Sequence, residues 1–142
     1  KAHIRITFRY EIPSYAMKGT DELVFKPFVM NNLYTQVMSY LRIDTSLETR
    51  KYAFKDACSR LVELDETLRI PAGYQLQNEA KNDEISGQAA DFEGTLRQNG
   101  NKLQLNTRLA LKKRVYEASD WENFRNAVNT SKTYGEYLVI KK

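Results

Sequence analysis

The chain has 142 residues, 42% hydrophobic and 28% charged, with a formal net charge of +4 and a sequence pI of about 9.1. This is enough for one domain with a proper core and too little for two. No stretch approaches the roughly 20 apolar residues of a membrane-spanning helix. The basic excess is compact only at Lys112-Lys113-Arg114 and Lys141-Lys142, which read as solvated surface. Without an aromatic-flanked basic stripe or a named motif, nothing points to nucleic acid.

Ile4, Ile6, Phe8, Tyr10 and Ile12 alternate with His3, Arg5, Thr7, Arg9 and Glu11. That period of two predicts a half-buried strand over residues 3–12, ended by Pro13. Lys18-Gly19-Thr20-Asp21 reads as a turn and Leu23 to Phe28 as a second short strand, with Pro27 placing its end at an edge. In residues 31–43, Leu33, Val37 and Leu41 fit one face of a short helix, with Tyr34 and Met38 beside them. Asn31 or Asn32 is positioned to cap it. The same stretch also suits irregular extended chain. Residues 44–58 read as a long connection with one extended piece around Tyr52-Ala53-Phe54.

The pattern sharpens after that. Val62, Leu64, Leu68 and Ile70 alternate with Glu63, Asp65, Thr67 and Arg69, giving a strand that stops at Pro71-Ala72-Gly73. Tyr74-Gln75-Leu76 continues extended, and residues 78–88 are polar and loop-like. Between Gln88 and Lys112 the chain writes out a β-hairpin. Asn99-Gly100 is a type I′ turn signal, and folding about it pairs Leu96 with Leu103, Gly94 with Leu105, Phe92 with Thr107 and Ala90 with Leu109. One face then collects the apolar residues, and a slip of one residue would turn them all to water. Past Tyr116 the period changes. Ser119-Asp120-Trp121-Glu122 matches a capping box. Trp121, Phe124 and Val128 form the apolar face of a helix over about residues 119–130, expected to bury against Leu103, Leu105 and Leu109. Tyr134-Gly135 breaks the helix, and Tyr137 to Ile140 is a last strand. Seven or so turn-separated strands with one clear helix imply a mainly β fold, an antiparallel β-sandwich of immunoglobulin or fibronectin type with a short helix near the C-terminus.

Little in the chain resembles a catalytic constellation. A cysteine nucleophile needs a base, normally histidine, and the chain holds one of each, Cys58 and His3. His3 belongs to the polar face of the first strand, and Cys58 reads as a buried, inert thiol. A zinc site would need two further ligands. Glu63 and Asp65 share an exposed strand face about 7 Å apart, a spacing that suits paired acid–base work but equally a charged outer face. Glu66 falls on the apolar face of the same strand, at the sheet's end or against an arginine. Single glycines exclude a phosphate-cradling loop, so no cofactor is expected. Of the nine tyrosines, Tyr10 and Tyr137 fall on inward faces, as does Trp121. Tyr15, Tyr34 and Tyr40 lie outside clear strands, and Tyr34 and Tyr40 are the residues to consider for a peptide- or glycan-binding surface.

Several short motifs occur in a recognisable order. Glu48-Thr49-Arg50-Lys51-Tyr52 resembles an "ERKYP" entry, Leu68-Arg69-Ile70-Pro71-Ala72-Gly73-Tyr74 an "IxIPEGY" segment, and Asn99-Gly100-Asn101-Lys102-Leu103 a "DGNKI" hairpin. Tyr116 to Phe124 with Tyr137-Leu138-Val139-Ile140-Lys141-Lys142 is similar to a "YPPEEYxxLKxFY…IVLKK" ending. Over residues 48–142 the chain therefore resembles the C-terminal β-rich tail of bacterial transglutaminase-like proteins, in which a β-domain of unknown function and a papain-like core precede the tail. Ala53 stands where that pattern has proline, and the prolines near Ala118 are missing. The resemblance implies a non-catalytic accessory domain of an extracytoplasmic protein, partnered by an upstream core of the same chain that cleaves or cross-links peptides. The core's Cys–His–Asp set has no counterpart here, so no catalytic residue is carried over. A chain beginning at Lys1 instead of methionine fits a single domain cut from a longer protein.

Overall fold

The computed structural model describes residues 12–142; the strand expected over residues 3–12, with His3 and Tyr10, lies outside them apart from Ile12. β1 (Met17–Lys18) and β2 (Glu22–Phe25) lead to a π-helical turn (Val29–Tyr34) that runs on into α1 (Thr35–Met38). Next come β3 (Phe54–Lys55), β4 (Arg60–Arg69), β5 (Gln75–Leu76) and β6 (Lys81–Ile85). The long hairpin β7 (Ala90–Asn99) and β8 (Lys102–Leu111) follows, then β9 (Val115–Tyr116), α2 (Trp121–Thr133) and β10 (Leu138–Lys141).

The strands form a mainly β, antiparallel sandwich with a helix near the C-terminus, as the alternation predicts. One four-stranded sheet has the order β4-β8-β7-β6, the other β1-β2-β10-β5, and β3 and β9 make a two-stranded ribbon. The first order is a Greek key: β6, β7 and β8 meander, and β4 lies beside β8 because the chain detours through β5 in the other sheet. α2 packs across the inner face of β6, β7 and β8, while the π-helical turn packs on β4. A continuous core joins Phe92, Leu96, Leu105 and Leu109 of the hairpin to Phe124 and Val128 of α2 and to Leu138 and Ile140 of β10.

The hairpin faces are as expected, but its register is not. Leu96 pairs with Leu105, Gly94 with Thr107, Phe92 with Leu109 and Ala90 with Leu111. Pairing is thus shifted by two residues from the Asn99-Gly100 expectation, a shift that leaves every side chain on its predicted face. Asn99 pairs with Lys102, so the turn is Gly100-Asn101. Gly100 carries the positive φ, 58°, and Asn101 does not, which suits a II′ turn with glycine first.

Three other expectations are corrected. The helical segment is set back to residues 29–38 and buries Met30 and Tyr34, leaving Leu33 and Val37 exposed. Neither Asn31 nor Asn32 caps it: its first N–H groups are taken by Glu66 from β4, at 2.7 Å to Phe28 N and 3.1 Å to Val29 N. Residues 81–85, expected as loop, form edge strand β6, because pairing with β7 overrides the weak strand propensity of Lys-Asn-Asp-Glu. The capping box ahead of α2 forms two residues before the expected Ser119–Glu122 pair: Asp120 accepts from Glu117 N at 2.9 Å, and the Glu117 side chain accepts from Asp120 N.

Gly94 decides how α2 docks. A Cβ there would lie 2.5 Å from Tyr134 Cζ and 2.7 Å from Phe92 Cζ. The bare backbone on the inner face of β7 is what admits the Tyr134 ring, 5.4 Å from Phe92. At the other end of α2, the Asn123 amide accepts from Ala89 N and Ala90 N at 3.0 and 2.8 Å and donates to Ala90 O at 3.1 Å.

Candidate functional site

Several buried or half-buried carboxyl groups are engaged in holding elements together. Asp56 binds Arg60 through two hydrogen bonds of 2.8 and 3.0 Å and takes Ala57 N at 2.7 Å. Burial pushes its carboxyl up, but these bonds outweigh it and the net position is below the usual range. Lys113 holds Asp120 at 2.8 Å and Lys112 holds Asp91 at 2.7 Å, and each lysine lowers its partner's carboxyl. Those two lysines of the basic cluster are therefore ion-paired. Glu66, 6% exposed, is the reverse case: burial raises its carboxyl despite the backbone N–H groups it accepts. It meets a helical segment's first turn, where sequence reasoning placed an arginine or the sheet's end.

Glu63 and Asp65 are exposed as expected, and Arg108 lies 3.3 Å from Glu63 and 3.8 Å from Glu93. Cys58, expected to be buried, is exposed, because it sits in the bend between β3 and β4. Among the described residues no group of three or more His, Cys, Asp or Glu is placed to hold a metal ion.

The tyrosine expectations divide. Tyr34 is 6% exposed, and its hydroxyl shares a hydrogen bond with Ser131 of α2. Burial pushes its phenol up to about 12, the Ser131 bond acting the other way. Tyr34 therefore fastens the helical segment to α2 and is no surface platform, because the true buried face of that segment runs through Met30 and Tyr34. Tyr40 is 70% exposed. Tyr137, expected inward, is 51% exposed with the Lys26 ammonium 4.7 Å over its ring; it precedes β10 and escapes the alternation.

Two clefts lie along α2. The larger, about 670 Å³, opens between β6 and the helix C-terminus and includes Lys81, Asp83, Tyr134 and Glu136. Its central polar groups are paired with one another: Lys81 Nζ donates to Thr133 O at 2.8 Å, and Tyr134 OH donates to Asp83 Oδ2 at 2.8 Å. Burial, then the Asp83 bond, raise the Tyr134 phenol, so it stays a donor. The smaller cleft, about 440 Å³, lies at the helix N-terminus between residues 48–50 and Trp121, Arg125 and Asn126. Here the Arg50 guanidinium lies 4.8 Å from the Phe54 ring centre and 4.7 Å from that of Trp121. Its Nε is buried and makes no hydrogen bond. Arg50 stands outside any strand or helix period, so no sequence pattern could single it out, although it lies within the Glu48–Tyr52 motif.

Fold and site together define an antiparallel β-sandwich domain whose buried ionisable groups serve its own packing. The chain belongs to the family described as a domain of unknown function with solved structure, DUF3858, whose model matches residues 21–140. It is similar in fold to the crystal structure of a putative protease from Parabacteroides distasonis ATCC 8503, with 15% identity and a TM-score of 0.66. The match covers 87% of this chain and 24% of that one, so the chain spans about a quarter of that protein's length. No curated protein matches it.

Proposed function

We propose that this chain is a non-catalytic accessory domain of a larger transglutaminase-like protein, where it supports a peptide-cleaving or cross-linking core and shapes substrate approach to it. The observation that carries the reading is the recurrence of this fold as about a quarter (24%) of a longer chain described as a putative protease. The engagement of Asp56, Glu66, Asp83, Asp91 and Asp120 in structural bonds supports it, since a catalytic group must be free to exchange protons with substrate. The extracytoplasmic location follows the same resemblance. Among the described residues no helix is long and apolar enough to cross a membrane.

The test compares the full-length gene product with a version lacking this domain. Peptide hydrolysis or transamidation should reside in the remainder, with the deletion lowering its melting temperature or its kcat/KM. A remainder with unchanged stability and unchanged kinetics would remove the supporting role.

A further inference from the structure

Arg50 is an unusual cation for a surface loop. Two aromatic rings fix its guanidinium, at 4.8 and 4.7 Å, and its Nε is buried without a hydrogen bond. Among the described residues it forms no hydrogen bond or ion pair; Asp44 feels its charge only through space. An arginine held rigid, stripped of partners and facing a cleft is pre-organised for a planar anion, because little side-chain entropy remains to be lost on binding.

The surroundings indicate which anion. Arg125 lines the same cleft with only its Nε engaged, donating to Thr45 O at 3.2 Å. Glu48 and Glu122 also line it, both exposed and neither ion-paired with the arginines, so the lining has no net charge and it is the fixed guanidinium geometry, not a positive field, that favours an anion. Beside the cleft, Trp121 Nε1 donates to the carbonyl of Leu47, whose side chain is 47% exposed, and Tyr52, two residues beyond Arg50, is 81% exposed. Two guanidinia flanked by exposed apolar side chains suit a carboxylate presented by a polypeptide, with the apolar neighbours covering its backbone.

We infer that the cleft between residues 48–50 and the start of α2 docks an acidic segment of a neighbouring domain, with Arg50 and Arg125 receiving its carboxylate. This rests on the accessory-domain reading, which supplies the neighbour in the same polypeptide. The aromatic clamp explains why an arginine stands there: stacking leaves the terminal nitrogens in a fixed plane, whereas a lysine ammonium would take neither the stack nor the bidentate geometry.

The test uses the full-length gene product and hydrogen–deuterium exchange over residues 48–52 and the first turns of α2, clear of Thr45, whose carbonyl Arg125 holds within the domain. Arg50→Met puts an uncharged side chain of similar reach against Phe54 and Trp121 and removes the charge, and Arg125→Gln is made separately. Each variant should exchange about tenfold faster at these segments, as expected for losing one charge-assisted bond. High ionic strength should produce the same change in the wild type, and β7 and β8 should stay protected. Wild-type exchange unaltered by salt, together with variants that match it, would leave Arg50 as an internal aromatic staple and overturn the docking. If Arg50→Met melts early, Arg125→Gln and the wild-type salt response decide alone. Failure here with deletion effects intact rejects the docking site only; a gene product without a second domain rejects the accessory reading itself.

Discussion

Glu66 shows how one side chain can join two elements and charge the fold for doing so. Its carboxylate satisfies the first N–H groups of the 29–38 helical segment from within β4, at 2.7 and 3.1 Å. Glu66→Ala strands those donors and should cost about 1–3 kcal/mol in denaturant melts, whereas Glu66→Gln keeps an acceptor oxygen and should cost less. Gly94→Ala forces a methyl into the Tyr134 and Phe92 rings and should cost about 1–3 kcal/mol by overpacking. Trp121, 2% exposed, packs edge-on against Phe54 and stacks on Phe124, with ring centres 5.3 and 6.0 Å away. Trp121→Ala should cost about 3–5 kcal/mol; a loss below about 1 kcal/mol would contradict its place in the core.

At the scale of elements, the hairpin separates what alternation can tell from what it cannot. A period of two assigns faces, and Phe92, Leu96, Leu103, Leu105 and Leu109 are all buried. It is blind to a shift of two, so the register depended on the turn, where Asn99-Gly100 and Gly100-Asn101 compete. Gly100→Ala should therefore cost about 1 kcal/mol through its positive φ, while Asn99→Ala, at a paired strand position, should change stability by less than about 0.5 kcal/mol. A larger effect at Asn99 would favour the I′ register. The helical segment was legible as a helix but not by face: Leu33, Val37 and Leu41 outweigh Met30 and Tyr34 in hydrophobicity, and only Glu66 and Ser131, distant in sequence, select the buried side. Edge strand β6 was illegible for the same reason, its pairing partner lying across a turn and its inward Lys81 and Asp83 being satisfied by α2. For the candidate site, the exposed face carrying Glu63 and Asp65 was readable from the alternation; the Arg50 clamp was not, since it exists only when residues 50, 54 and 121 converge.

For the whole molecule, pH links these contacts to stability. Asp56, Asp91 and Asp120 are held below their usual value of 3.8 in the folded state. Their contribution is complete above that value and lost as pH falls through the lower folded values. Glu66 runs the opposite way, raised above 4.5: its contribution is complete below that value and lost as pH rises through the folded one. The stability difference between Glu66→Gln and wild type should therefore move in favour of the variant as pH rises from below 4.5 toward neutrality. A difference constant with pH would contradict the burial of that carboxyl.

Where chemistry resides in the full-length protein is tested most directly by turnover of a peptide substrate, with the isolated 142-residue chain assayed beside the full-length gene product. An accessory role predicts no turnover by the isolated chain, and turnover by the full-length protein that survives Cys58→Ala. Hydrolysis by the isolated chain that disappears in Cys58→Ala would contradict it.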